Sequence, residues 1–471
     1  MRQTNQNQKE ERFSAGNAPV AAPLYFGSIY YGWVVVTACF LVIALVSPLI
    51  SSFSIFQVTL LREFNWSRGG IAIALAIHLV LGGMASPFAG GLIDRFGPRR
   101  VMPVGAVITA MALMLMSQSA SLWHFYVAFG VIAAMGSSLL QIVPLTALTS
   151  NWFVRHRGAA IGIVSAGSGA GQLALLPLMQ YLIKYIGWRY TYLAFGVVIL
   201  FIPTALIWLF LYTKPEDRGP SAADDPRERS EDQEASVSEK ADGQEIKRGN
   251  RGARQSEVII LDKEWAEIEW NVSKAVRTFR FWALTLMMAL FAAGFFLISV
   301  QLAAYLEDKG YSPLLAASVI GLQGALNMAG KFIGGFLCDR IGREKTLTLS
   351  IIVFVTCIAL LNLAGVIINP ALVYVFTIFY GIGFGMSLPA LITSAADLFQ
   401  GKHFGSILGV IVFGGFIGGA IGTWLGGHLF DLTRAYQVNF LVSGLAMLIS
   451  AALIWKARPG SIRQVRSLEM R

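Results

Sequence analysis

Charge is what this sequence has least of. Only 14% of its 471 residues are Asp, Glu, Lys or Arg, against roughly 25% in soluble proteins, while 55% are hydrophobic. That balance argues against a water-soluble enzyme and against a disordered or fibrous chain. Cysteine is scarcer still. Cys39, Cys338 and Cys357 are widely spaced, which leaves no disulfide framework and no cysteine metal cluster. Gly167-Ser168-Gly169-Ala170-Gly171 is no nucleotide loop, because it lies inside an apolar run with no strand before it. Neither cofactor nor metal is expected. The net charge of +10 does not point to nucleic acid either. The Lys and Arg residues sit in short runs between apolar stretches, not on one continuous basic face.

What the chain does have is long apolar runs. A helix crossing about 30 Å of hydrocarbon needs about 20 mostly apolar residues. Twelve stretches meet this: 31–56, 69–93, 101–118, 122–149, 157–181 and 188–212, then 281–306, 312–337, 346–366, 370–396, 403–429 and 435–455. They are numbered here as spans 1 to 12. Lipid offers backbone groups no partner, and the runs are too long for barrel strands, so helices are expected. The polar residues 1–28 lack an apolar h-region, so no cleaved signal is expected and span 1 does the targeting. With both termini cytoplasmic, 30 of the 37 Lys and Arg lie inside and six outside (Arg62, Arg68, Lys184, Arg189, Lys309, Arg434), with Lys331 within a span. Setting aside the 13 in the long 213–280 loop leaves 17 against 6, the cytoplasmic bias of membrane proteins.

Residues 213–280 are the one long hydrophilic segment, charged and apolar-poor from Pro215 to Gln255, a composition that predicts disorder. Beyond it Leu261, Trp265, Ile268, Val272 and Val276 recur at helical spacing. They predict an amphipathic helix, lying on the inner membrane surface or packed under the second half. The expected organisation is a polar N-terminus (1–28), a six-helix bundle (29–212), the linker (213–280), a second six-helix bundle (281–456) and a tail (457–471).

The two bundles repeat each other. Gly90-Gly91-Leu92-Ile93-Asp94-Arg95-Phe96-Gly97 follows span 2, and Gly335-Phe336-Leu337-Cys338-Asp339-Arg340-Ile341-Gly342 follows span 8, 245 residues later. Arg155-His156-Arg157-Gly158 with Gly162 precedes or opens span 5, and Lys402-His403-Phe404-Gly405 with Gly409 recurs at span 11, 247 residues on. Duplicated halves are the mark of secondary transporters whose substrate site lies between them near mid-membrane. Glycine is dense in spans 5 and 11, at spacings that let helices approach closely.

On these residues the chain resembles the major facilitator superfamily over essentially its whole length. The family signature G-x-x-x-D-R-x-G-R-[RK] is matched by Gly90, Asp94, Arg95, Gly97, Arg99 and Arg100, and again by Gly335, Asp339, Arg340, Gly342, Arg343 and Lys345. Tyr30-Tyr31-Gly32-Trp33-Val34-Val35 at span 1 and Phe281-Trp282 at span 7 resemble the monocarboxylate transporter and oxalate:formate antiporter group. The resemblance implies an all-α membrane protein, with twelve transmembrane helices in two pseudo-symmetric bundles. It also implies gating by Asp94, Arg95, Asp339 and Arg340 as latches between the halves. The plainer alternative for these four is surface charge worth about 0–1 kcal/mol.

All 27 acidic residues lie outside the apolar runs or at their ends, while one cation, Lys331, lies within span 8. A charge there costs at least about 2.5–3.5 kcal/mol, so it is expected to serve a function. Gln323, Asn327 and Lys331 are four apart and form one stripe, drifting about 40° per step. A cation without an acidic companion wants an anion, most simply a carboxylate. The alternative is snorkelling, since Lys331 lies about 12 Å along the helix from Asp339. The resemblance places Lys331 where the monocarboxylate group carries a substrate-pairing arginine, and Asn327 where an aspartate often lies. The group's span 1 lysine and the oxalate antiporters' span 11 cation have no counterpart here, which favours a monoanion. Tyr380, Gln141, Gln301, Tyr305 and Gln172 lie on spans that line the family's cavity and are further candidates. His78 in span 2 reads as a hydrogen-bonded structural residue.

The expected function is secondary transport of a small monocarboxylate such as lactate, pyruvate or formate by alternating access. The expected partners are that acid, the bilayer and a coupling proton. A functional monomer in the bacterial inner (plasma) membrane, with both termini cytoplasmic, is expected, and neither enzymatic chemistry nor nucleic-acid binding. Alternatives are an oxalate/formate-type anion exchanger and a drug exporter of the same superfamily, though cation export would want a buried acid.

Overall fold

The structure, a computed structural model, describes residues 25–26, 29–150, 152–153, 157–212, 257–401 and 403–466. The readings for Arg155, His156, most of the 213–280 linker and nearly all of the polar N-terminus fall outside these residues.

Eleven helical runs among the described residues are long and apolar enough to cross a membrane. One of them, Ala159–Phe210, has 52 residues, about 78 Å of helix, more than twice the hydrocarbon thickness. It is two helices meeting at Gly187 (φ 82°, ψ 161°), and these are spans 5 and 6. Most other spans follow the expected limits: Arg68–Phe96 for span 2, Pro313–Ile341 for span 8, Pro370–Phe399 for span 10 and Phe404–Thr433 for span 11. Spans 1 and 7 are broken. Span 1 runs Tyr31–Val46, Pro48–Ser51 and Phe53–Phe64, with Pro48 removing a backbone donor at the break. Span 7 is Phe279–Ser299 followed by Leu302–Asp308.

The duplication seen in sequence is repeated in local chemistry. Ser67 caps span 2 by accepting from the Gly70 N–H, and Ser312, 245 residues later, caps span 8 by accepting from Leu315. The signature glycines end these same helices. Gly97 (φ 80°, ψ 153°) and Gly342 (φ 92°, ψ 164°) occupy a backbone region that is essentially glycine-only, so each turn into the next span needs that residue.

Packing shows the same period. Span 5 lies on span 1 and span 11 lies on span 7. A Cβ added at Gly171 would collide with the Ala44 carbonyl, and one at Gly418 with the Ala289 carbonyl. The two glycines are 247 residues apart and the two alanines 245, the offsets of the two sequence repeats. With little hydrophobic drive between helices in lipid, such backbone contact is what holds neighbours together. Gly418→Leu is expected to destabilise the protein by about 1–3 kcal/mol through overpacking, read as a lower Tm in detergent. An unchanged Tm would mean that spans 7 and 11 can separate freely.

The halves meet along two seams, span 2 against span 11 and span 5 against span 8. The described chain ends gather on one face, called here the termini face. There the Tyr31 hydroxyl donates to the Phe210 carbonyl, and Glu257–Ile260 pairs antiparallel with Arg463–Arg466. This ladder and the two-residue hairpin Tyr25–Phe26/Ile29–Tyr30 are the only strands among the described residues.

The expected amphipathic helix after the linker is instead two four-residue helices, Lys263–Ala266 and Val272–Ala275. Continuity fails because the chain turns to bury Trp270, which packs against Trp265 and Phe399, while Asn271 caps the second helix. Trp265 donates through Nε1 to the Leu398 carbonyl at 2.8 Å. The segment therefore packs beneath span 10, one of the two placements the sequence left open.

Candidate functional site

A cavity of about 270 Å³ lies between the halves. Spans 7, 8 and 10 supply one side of it, and spans 1, 2 and 5 the other. Gln323, Asn327 and Lys331 all line it, because their spacing puts them on the one face of span 8 that turns inward. Lys331 is half-buried. Its ammonium group has no hydrogen bond or ion pair with any described residue, and no carboxylate lines the cavity. The Asn327 side chain is likewise unpartnered, and Gln323 Nε2 is buried without a partner. A cation and two carboxamides therefore present unused hydrogen-bonding capacity to one space, the arrangement that receives an anion.

The other sequence candidates divide. Tyr380 reaches the cavity wall, but its hydroxyl donates to the Phe295 carbonyl at 3.0 Å. Gln172 also lines the cavity and donates to Ser168 at 3.4 Å. Gln301 and Tyr305 do not line it. The break after Ser299 turns them toward spans 9 and 12, where Tyr305 donates to the Leu361 carbonyl. Gln301 sits there fully buried, its side chain without a hydrogen bond. Gln141 lies at a break in span 4, outside the cavity. His78 is buried, and its Nδ1–H donates to the Phe129 carbonyl at 2.9 Å, as a structural histidine would.

Sequence reasoning passed over the serines. Ser51 and Ser54 from span 1, and Ser165 and Ser168 from span 5, line the cavity. The dense glycines of span 5 drew attention to packing and hid the hydroxyls between them. Ser168 is also bonded to Ser47 at 2.9 Å, which ties span 5 to span 1.

The face opposite the termini is closed by charges that join the halves. Arg62 pairs with Glu307 at 2.8 Å and Arg68 with Asp308 at 2.7 Å. Arg68 also donates to the Tyr436 hydroxyl, which donates onward to Asp308, and its guanidinium lies 3.8 Å from the Phe430 ring centroid. Asp431 accepts from the backbone N–H groups of Arg68 and Gly69 at 3.1 and 2.7 Å, placing a carboxylate at the N-terminus of span 2. A signal for part of this was present. Arg62 and Glu307 are 245 residues apart, so the repeat puts opposite charges at matching positions of spans 1 and 7. Positions related by a two-fold axis and close to it must meet.

The termini face is different. A Cβ added at Gly90, Gly91, Gly335, Gly405 or Gly409 would meet nothing within 4 Å, so these glycines near the ends of spans 2, 8 and 11 are not pressed against a neighbouring helix. Of the signature residues, Arg95 and Arg340 are exposed, each near a phenylalanine of its own helix. Asp339 is exposed and makes no ion pair with a described residue, and the Asp94 side chain lies outside the described set. Arg343 instead forms a buried ion pair with Asp397, 2.8 Å apart, inside the second half. Among the described residues, ion pairs thus join the halves on the far face, whereas those of the signature on the termini face stay within one half.

The profile of the Major Facilitator Superfamily matches residues 36–423 and 370–469. Monocarboxylate transporter 13 of Bos taurus is 26% identical over 90% of this chain and 88% of its own length. YcxA of Bacillus subtilis, described as an uncharacterised MFS-type transporter, is 24% identical over 86% of this chain and 89% of its own. Among solved structures, a bacterial homologue of the lysosomal transporter Spinster, inward-facing and occupied, superposes with a TM-score of 0.66 at 15% identity, covering 91% of this chain and 97% of that one. A D-xylose-proton symporter gives 0.66 at 14% identity, covering 91% and 99%.

Proposed function

This chain belongs to the Major Facilitator Superfamily, and from that premise we propose that it carries a small monocarboxylate across a membrane by alternating access. The observation that carries the reading is the Lys331 ammonium, uncompensated on the wall of a cavity between the two halves. The names of the similar monocarboxylate transporters support it. The substrate's carboxylate supplies the missing negative charge, with Asn327 and Gln323 donating to its oxygens. Lysine is a point charge, not a bidentate fork. With no second cation on the cavity wall, one negative charge is neutralised and a dianion is not.

In this reading the far-face ion pairs hold the state described here, and the signature loops engage when the halves rock the other way. A proton accompanies the anion in this reading, and with no carboxylate among the described residues of the cavity wall its candidate carriers are Lys331, His78 and the acid itself. The termini face is cytoplasmic, the membrane is the bacterial inner membrane, and the monomer is the working unit. The test is uptake of labelled lactate, pyruvate, formate and oxalate into proteoliposomes, with and without an inward proton gradient. Saturable, gradient-stimulated uptake of a monoanion is expected. Uptake of oxalate alone, or of no monocarboxylate, would overturn the proposal.

A further inference from the structure

The two sides of the cavity differ chemically, and the difference bears on the size and kind of acid. Within the monocarboxylate reading above, on which this rests, we infer that the preferred cargo is a hydroxyl-rich monocarboxylate of about sugar-acid size, held by its carboxylate on the second half and by its hydroxyls on the first. Three observations lead there. The first is space. About 270 Å³ is room for roughly nine waters at about 30 Å³ each, and a three-carbon acid bound at Lys331 would leave much of it wet.

The second is the far wall. Opposite Lys331 the first half presents Ser51, Ser54, Ser165, Ser168 and Gln172, all uncharged donors and acceptors. The Ser51 hydroxyl makes no hydrogen bond with a described residue. Ser54 and Ser165 donate only to backbone carbonyls of their own spans and keep their acceptor capacity. Ligand cavities are usually lined mostly by apolar groups with few polar ones, so a wall this rich in hydroxyls fits a cargo that is itself rich in them.

The third is the aromatic side. Phe295 is stacked on Phe384 at 3.7 Å and on Tyr380 at 5.3 Å between ring centroids. Phe295 is thus engaged by two rings of span 10, and an aromatic acid would have to compete with them for its face. A cargo long enough to touch both walls also gives binding a consequence. Such a molecule draws the halves together more firmly than a short acid, which is held by span 8 alone.

The experiment compares half-saturation for labelled gluconate and labelled lactate in proteoliposomes of the full chain, with unlabelled phenylpyruvate as competitor. Gluconate is expected to saturate at a concentration at least about tenfold lower than lactate, since its hydroxyls add hydrogen bonds to the first half that lactate cannot reach. In Ser51→Ala/Ser165→Ala that preference ratio should fall about tenfold, the two bonds lost being worth about 1.4 kcal/mol together. Tm, measured in detergent, should stay at the wild-type value, because alanine keeps both helices intact. Equal half-saturation for the two acids, phenylpyruvate as the tightest competitor, or an unchanged ratio in the double variant would each overturn the inference. Those outcomes leave the monocarboxylate reading standing, since lactate is still carried. Transport of neither acid would overturn both.

Discussion

Lys331→Gln is expected to lower carboxylate uptake about a hundredfold, while Lys331→Arg retains a measurable rate. A hydrogen bond to a charged group is worth about 1.5–3 kcal/mol, and the upper part of that range corresponds to about a hundredfold in affinity. Glutamine is one atom shorter but keeps most of the side chain and its capacity to donate, so the loss is chiefly that of the charge. Arginine restores the charge with a broader, forked head, which fits the cavity less closely but still neutralises a carboxylate. The measurement is initial uptake rate against substrate concentration in proteoliposomes, with the reconstituted amount of each variant matched. A glutamine variant that transports at the wild-type rate would return Lys331 to a snorkelling role. The position of Lys331 on the cavity wall with Asn327 and Gln323 makes snorkelling the weaker account.

Arg68→Ala is expected to open the far face. Arg68 joins the first half to Asp308, Tyr436 and the Phe430 ring of the second half, with only 14% of its side chain exposed. A lone exposed ion pair contributes about 0–1 kcal/mol, but a charge-assisted network shielded by an aromatic ring contributes more, about 2 kcal/mol in all. Its loss shifts the ratio of the two states roughly thirtyfold toward the far-open one. Spin labels at Tyr185 and Ile368, both exposed and outside the network, report this as a longer distance population. Asp431→Asn should move the same distribution by less, because the side-chain oxygen still accepts from one backbone amide while the charge at the helix N-terminus is gone. If the labels report the same distances in Arg68→Ala as in wild type, these charges do not govern the equilibrium.

The candidate site was legible where one helix carries it. Gln323, Asn327 and Lys331 share a face of span 8 because a helix turns once in about 3.6 residues, and that follows from spacing alone. It was illegible where two helices meet. Gln301 and Tyr305 lie on the right span but beyond a break that rotates them away from the cavity. The serines of spans 1 and 5 look like any small residues until the opposite wall is in place. The far-face network draws on spans 1, 2, 7, 11 and 12 at once, and only the Arg62–Glu307 pair lies at the repeat offset that would have exposed it.

The amino-acid order by itself determined the solvent, the spans, the duplication and the stranded cation. Each depends on properties of one segment, its polarity, its length or its similarity to another. The turn glycines Gly97 and Gly342 belong to this group, since their backbone geometry is set within a few residues. Which hydroxyls stand opposite Lys331, and on which face charges pair across the seam, were decided only by tertiary packing. The physical reason is that these depend on how two bundles are rotated against each other. That rotation is governed by contacts across the seams such as Gly169 on the Gly324 carbonyl, made between residues more than a hundred positions apart.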